Sequence, residues 1–195
     1  MKKFDLMHQI NTRGTYMVSK YILPYMKNSH NQKKTTSNNK FNAASIPQIL
    51  NLSPPLLMEP KWFRHSLAYT MAKYGMSMCV MGMAAEFGHI PIAVNALWPR
   101  TLVLTAAMAS FGGVDQIANI CRKPDIIADA AYVLLSSSPS SSIITGNFFI
   151  DELVLRNLAG IKDFEPYSVA PGHQLAADGF IPDQLADGLL SSSFE

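Results

Sequence analysis

The chain has 195 residues, which suits one domain at the usual ~100 to 200 residues per domain and would cramp two. Its 48% hydrophobic, 15% charged and 10% aromatic residues can fill a core, so a disordered, collagen-like or coiled-coil chain is excluded. With 16 Lys+Arg against 14 Asp+Glu the net charge is +2, and the basic residues form no stripe, which argues against a nucleic-acid or membrane-surface partner.

Residues 4 to 27 carry Phe4, Met7, Ile10, Val18, Ile22 and Tyr25 at near-helical spacing, so one long amphipathic helix is expected, interrupted only by Gly14 and ending close to Pro24. From 28 to 47 the composition turns to Asn, Ser, Thr and Lys, that of a solvated inserted loop. Gln48 to Ser53 is a short apolar run stopped by Pro54-Pro55, as in a buried parallel strand, which puts Ser53 at a strand's carboxyl end. Between Leu67 and Phe87, the positions Met76, Cys79, Val80, Met83 and Phe87 define one face of a second long helix, which Gly75 and Gly82 thin for close packing.

Pro91 to Trp98 reads as a second buried strand ended by Pro99. A helix from about Pro124 follows, with Ile126, Ile127, Ala130, Ala131 and Leu134 facing a core, and Ile143 to Asp151 supplies a third strand. This alternation predicts an α/β fold, a doubly wound parallel sheet with helices on both faces. From Gly160 to Glu195 the many Pro and Gly residues predict a loose covering tail.

Cys79 and Cys121 are too few for a disulfide framework or a metal site, and reduced thiols in a reducing compartment are expected. The five histidines show no paired metal spacing, so no metal is expected. No apolar run approaches the ~18 residues that a membrane span requires. Neither Met1 to His8 nor Ser191 to Glu195 reads as a targeting signal. Asn51 and Asn95, inside strands, are expected to tie loops together, and Asp151 to touch the site or, at least equally, to cap or to serve an interface.

In open parallel sheets ligands bind beyond the carboxyl ends of the strands, so Ser53 and the segment after Pro99 are expected to border one crevice, with the apolar segment Leu102 to Gly113 covering it. Tyr69 and Lys73 stand four apart on the second helix and so share a face, near enough for an ammonium to lower a phenol's pKa from ~10. A serine hydroxyl at the strand end can then bind a substrate oxygen while the phenol passes the proton. The spacing alone is weak, since chance gives about 0.4 Y-x-x-x-K in such a chain. A second pair, Tyr16 and Lys20, lacks a strand-end serine upstream and reads as a packed Tyr beside a solvated Lys.

N-T-R-G-T-Y at 11–16, I-L-N-L-S at 49–53, Y-T-M-A-K at 69–73 and V-N-A-L-W-P at 94–99 together resemble the short-chain dehydrogenase/reductase superfamily. The resemblance implies a Rossmann-like fold lacking its first strands, with 1–159 as the catalytic part of the domain and 160–195 as its covering tail. It makes Tyr69 the acid/base, gives Ser53 the substrate oxygen, has Lys73 hold the nicotinamide ribose, and uses Asn11 to support a proton-carrying water. Thr101 joins Lys73 and Tyr69 as cofactor-binding. It further implies NADP(H), a small alcohol or carbonyl substrate of lipid-like character, a homo-oligomer formed through the two long helices and, by the nearest likeness within the family, a peroxisomal location. The sequence departs from the family in three places. No T-G-x-x-x-G-x-G turn cradles a pyrophosphate, no N-N-A-G-like strand end is present, and Pro99-Arg100 replaces Pro-Gly. These departures set a rival expectation, a non-catalytic remnant that acts as an interaction or dimerisation protein.

Overall fold

The computed structural model describes residues 1–36, 46–64, 66–106, 108, 117–136 and 143–189. Helix α1 (Lys2–His8) passes through a π-helical turn (Gln9–Arg13) into α2 (Gly14–Thr36). Strand β1 (Gln48–Leu52), helix α3 (Leu67–Glu86), strand β2 (Ala93–Trp98), helix α4 (Asp125–Ser136) and strand β3 (Phe148–Ile150) follow in alternation. Helix α5 (Asp151–Leu158) and the short α6 (Asp183–Ala186) complete the described elements. The three strands make one parallel sheet in the order β1-β2-β3, a partial Rossmann-type α/β fold.

Helix α2 overruns its expected end. Asn28 to Thr36 contains no Gly or Pro, and extending an existing helix costs far less than starting one, so the first part of the expected loop is helical and Pro24 lies inside α2. Positions 37–45 of that loop lie outside the described residues, as do half of the expected cover at 102–113 and the last six positions.

The chain divides into two units, the first being Met1–Leu56, Ser66–Ala96 and Leu135–Phe148. Its core gathers Val80, Met83 and Ala84 of α3 and Phe87 just after it with Ile92, Val94 and Ala96, and Ile49, Cys79 and Phe148 pack against it. The apolar stripe read for α3 is therefore its buried face. Every position of β2 is buried, as a central parallel strand requires. Asn95 does tie a loop, donating from Nδ2 to Ile144 O at 2.9 Å and accepting at Oδ1 from Asn147 N at 3.0 Å.

The inward face of α2 is rotated by one position from expectation, to Ser19, Leu23 and Met26, the last two packing against the core. Ile10, Val18 and Tyr25 are 65%, 70% and 71% exposed, while Ser19 is buried and Thr12 and Thr15 are half-buried. Small polar side chains face inward because the π-helical turn comes against the α3 backbone: Thr12 Oγ1 donates to Ala72 O at 3.0 Å. A Cβ on Gly75 would lie 2.2 Å from Thr12 Oγ1, whereas one on Gly82 would meet nothing within 4 Å. Only Gly75 thins the helix for a neighbour. Gly75→Ala is expected to destabilise by about 1–3 kcal/mol through overpacking, while Gly82→Ala gains up to about 1 kcal/mol of helix propensity. Urea midpoints of the two variants measure the contrast, and equal midpoints would contradict this packing.

The second unit is Leu57–His65, Leu97–Leu134 and Phe149–Glu195. Leu102, Cys121 and Ala176 form its apolar centre, with Ile117, Ile120 and Val169 against them. The tail is fastened, contrary to the loose segment expected. Trp98 Nε1 donates to Asp178 Oδ1 at 2.6 Å, Leu102 N to Ala176 O at 3.0 Å and Arg100 Nε to Leu185 O at 2.7 Å. Its Pro and Gly residues shape turns, three with positive φ at Gly160, Gly172 and Gly188, and the backbone between them is paired at a distance.

The third strand is shorter than the expected 143–151 because α5 starts at once. Asp151 is fully buried, and its Oδ1 accepts the N–H groups of Glu152 at 2.6 Å and Arg100 at 2.9 Å. One carboxylate oxygen thus holds two backbone amides at the helix start, while Oδ2 has no partner among the described residues and Ile150, not Asp151, occupies the cap position. Arg100, standing where the family resemblance expects glycine, turns its side chain onto Glu152 and the tail carbonyls of Leu185 and Asp187.

Candidate active site

The first unit's candidate site is built at the carboxyl end of β1. Pro54-Pro55 ends the strand, since Pro54 can offer only a carbonyl to a neighbour. Helix α3 closes over that end with two donors one turn apart: Lys73 Nζ to Leu52 O at 3.2 Å, and Ser77 Oγ to Pro54 O at 2.6 Å. They straddle Ser53, which is 0% exposed. The Ser53 amide donates to Asn51 O at 3.0 Å, and its buried Oγ has no hydrogen-bond partner among the described residues. A buried hydroxyl in that condition is uncommon and calls for an explanation.

Tyr69 lies one turn before Lys73 on the same face of α3, with Lys73 Nζ 5.9 Å from its ring centroid. It is 38% exposed, so its ring is accessible. Tyr16 and Lys20 reproduce this geometry at 5.8 Å on α2, with Tyr16 49% exposed. Spacing therefore makes the cation–aromatic pair wherever it occurs on a helix, and what separates the two pairs is the strand end beside Lys73.

Asn11 sits in the π-helical turn, half-buried, and its Nδ2 donates to Met7 O at 2.9 Å. The next residue, Thr12, reaches Ala72 O, which immediately precedes Lys73. Such π-helical turns concentrate at functional sites, and only Gly14 hinted at irregularity in the sequence. Ser77 was legible, being the next turn after Tyr69 and Lys73, but it was not singled out. Asn11, Ser53, Tyr69 and Lys73 all belong to the first unit. Thr101 belongs to the second, where it is fully buried, bridged to Ala177 in antiparallel fashion, and has no partner for Oγ1 among the described residues.

A group of three or more His, Cys, Asp or Glu side chains able to hold a metal ion does not occur among the described residues. Cys79 and Cys121 are free, and burial pushes both thiol pKa values up. No described helix is long and apolar enough to cross a membrane.

Comparison with known proteins finds no matching family model. The chain is 50% identical over 185 residues to hydroxysteroid dehydrogenase-like protein 2 of Bos taurus, an alignment covering 95% of this chain and 39% of that protein. The chain thus spans well under half the length of the curated relatives it matches. A solved structure of a candidate dehydrogenase from Xanthomonas campestris superposes with a TM-score of 0.78 at 40% identity, covering 93% of this chain and 60% of that one. A short-chain dehydrogenase from Mycobacterium thermoresistibile gives 0.75 at 43% identity, covering 93% and 58% respectively.

Proposed function

We propose, from a chain that matches hydroxysteroid dehydrogenase-like protein 2 along nearly all of its own length and shares a partial Rossmann fold with short-chain dehydrogenases, that these residues are the catalytic part of an NADP-dependent oxidoreductase. The observation that carries the reading is the closure of α3 on the end of β1, which brings the strand end to the Lys73 of the Tyr69–Lys73 pair and leaves the Ser53 hydroxyl buried, and unpaired among the described residues, between two α3 anchors. The cofactor, when bound, accepts or supplies the hydride. Ser53 binds the substrate oxygen, and the Tyr69 hydroxyl gives up or takes the proton at that oxygen. Lys73 stabilises negative charge developing on the phenol and holds the nicotinamide ribose, while Asn11 supports proton supply and Thr101 serves the cofactor. The substrate class is an alcohol or carbonyl of lipid-like character, and the peroxisomal location rests on the resemblance alone.

These 195 residues contain no glycine-rich turn for a pyrophosphate. The chain as given is therefore expected not to bind NADPH measurably, and a calorimetric titration checks it: saturable micromolar binding would mean that another segment rebuilds the phosphate site. The activity itself is tested in a chimera that places a complete dinucleotide-binding half ahead of this chain. NADPH oxidation with some member of a panel of aliphatic, alicyclic and steroid ketones is expected. A chimera that binds NADPH and reduces none of them would favour the second reading, a non-catalytic interaction protein. That reading draws support from the exposed apolar side chains Val18, Tyr21 and Tyr25 of α2 and Met71, Met78 and Met81 of α3, which equally suit a homo-oligomer formed through these helices.

A further inference from the structure

Pro54 and Pro55 offer no backbone N–H where β1 ends. The carbonyls on either side of Ser53 are taken up instead by side chains of α3, Leu52 O by Lys73 Nζ at 3.2 Å and Pro54 O by Ser77 Oγ at 2.6 Å. Lys73 and Ser77 stand four apart and so share a face of the helix. Pro54 and Ser77 are fully buried, so the second bond is shielded from water, and a buried carbonyl without a donor is costly. Helix propensity does not account for the serine, since alanine is preferred in a helix interior and a serine hydroxyl there ordinarily turns back to the carbonyl four residues earlier. Ser77 Oγ lies 3.3 Å from that carbonyl, Lys73 O, but its one proton makes the shorter bond out of the helix.

The two anchors differ in their other duties. In the proposed function Lys73 also serves the nicotinamide ribose and the Tyr69 phenol, and an ammonium on a flexible stem shifts readily between acceptors. Its hold on Leu52 O is therefore the one that cofactor binding draws away. Resting on that reading, we propose that Ser77 is a positioning residue: through the Pro54 carbonyl it fixes the strand end, and with it the Ser53 hydroxyl, while Lys73 is engaged with the cofactor. In this role Ser77 touches neither substrate nor cofactor and acts through Ser53. The Ser53 Oγ is buried and has no hydrogen-bond partner among the described residues, so its placement depends on the backbone that the two anchors hold.

The first arm of the test uses the 195-residue chain and needs no cofactor. Ser77→Ala is expected to speed amide exchange at Ser53 by about tenfold or more, with β2 unchanged. Ser77→Cys, which keeps the side chain but is only a weak donor, repeats the measurement if Ser77→Ala fails to fold. The second arm uses the chimera with a complete dinucleotide-binding half and the panel ketone that it reduces fastest. There Ser77→Ala is expected to lower kcat/KM by about tenfold or more and to leave NADPH affinity within about twofold. In a Ser53→Ala background the same substitution is expected to cost less than about twofold, because a residue that acts through Ser53 then has nothing left to position. A merely structural serine would cost the same factor in both backgrounds. The proposal is overturned if Ser53 exchange is unchanged, if Ser77→Ala keeps the wild-type kcat/KM, or if the full loss persists without the Ser53 hydroxyl. A wild-type chimera that binds NADPH but reduces no ketone refutes the catalytic reading and the role in turnover together, while the exchange arm still decides whether Ser77 holds the strand end.

Discussion

In the chimera carrying a complete dinucleotide half, Tyr69→Phe is expected to lower kcat/KM by about 10²-fold or more while leaving NADPH affinity within about twofold. The substitution removes one oxygen from a ring that is 38% exposed, so folding has little reason to change. The 5.9 Å approach of Lys73 to the ring is retained, which isolates the proton donor from the cation. Lys73→Ala is the informative contrast. Its ammonium also holds Leu52 O at the strand end, so its loss is expected to weaken cofactor binding and rate together. Tyr16→Phe serves as the control because Tyr16 and Lys20 have nearly the same separation without the strand end. Steady-state rates and NADPH titrations of the three variants decide the matter, and a Tyr16 variant as damaged as the Tyr69 variant would refute the choice between the two pairs.

What the sequence revealed and what it hid divide along a physical line. The α3 stripe was readable because apolar side chains at helical spacing were the ones buried, and the strand ending at Leu52 was readable because a proline pair cannot continue a ladder. The packing face of α2 was not, because Thr12 in the turn before it makes a close approach to the α3 backbone and Ser19 is buried behind it, so the inward face falls one position away from the one that hydrophobic periodicity picked. Tail order was also hidden. It depends on Trp98 reaching Asp178 and Arg100 reaching Leu185, contacts 80 and 85 positions apart that no local pattern encodes. At the site, Tyr69, Lys73 and Ser53 were visible as residue types in a given order, whereas the π-helical turn carrying Asn11 and the Ser77 anchor are matters of backbone geometry.

The ion cluster at the start of α5 carries the other large expected effect. The Glu152 side chain is 4% exposed and binds Arg100, Arg122 and Arg156 at 2.9, 2.8 and 2.8 Å, and the Arg122 side chain is itself only 7% exposed. Both Arg122 and Arg156 also lie over the Phe164 ring. Glu152→Gln would leave Arg122 buried without its counter-charge, and breaking such a pair costs about 3–5 kcal/mol. Burial alone would raise the Glu152 pKa, but hydrogen bonds from Arg122 and Arg100 prevail and hold it below the ordinary carboxylate value of 4.5. A depressed carboxylate contributes its stability above the unfolded pKa and loses it as pH falls through the folded one, so wild type and Glu152→Gln converge in acid. Asp151 has the opposite sign: burial pushes it to about 6, against its ordinary 3.8, so the folded state holds the extra proton and stability falls as pH rises between those values. Asp151→Asn is expected to flatten that decline. Both tryptophans, Trp62 and Trp98, belong to the same unit as the cluster, so urea unfolding followed by their fluorescence at pH 4 and pH 7 reads it directly. A Glu152→Gln loss below about 1 kcal/mol at pH 7, or one that does not shrink in acid, would mean that the three arginines do not depend on this carboxylate.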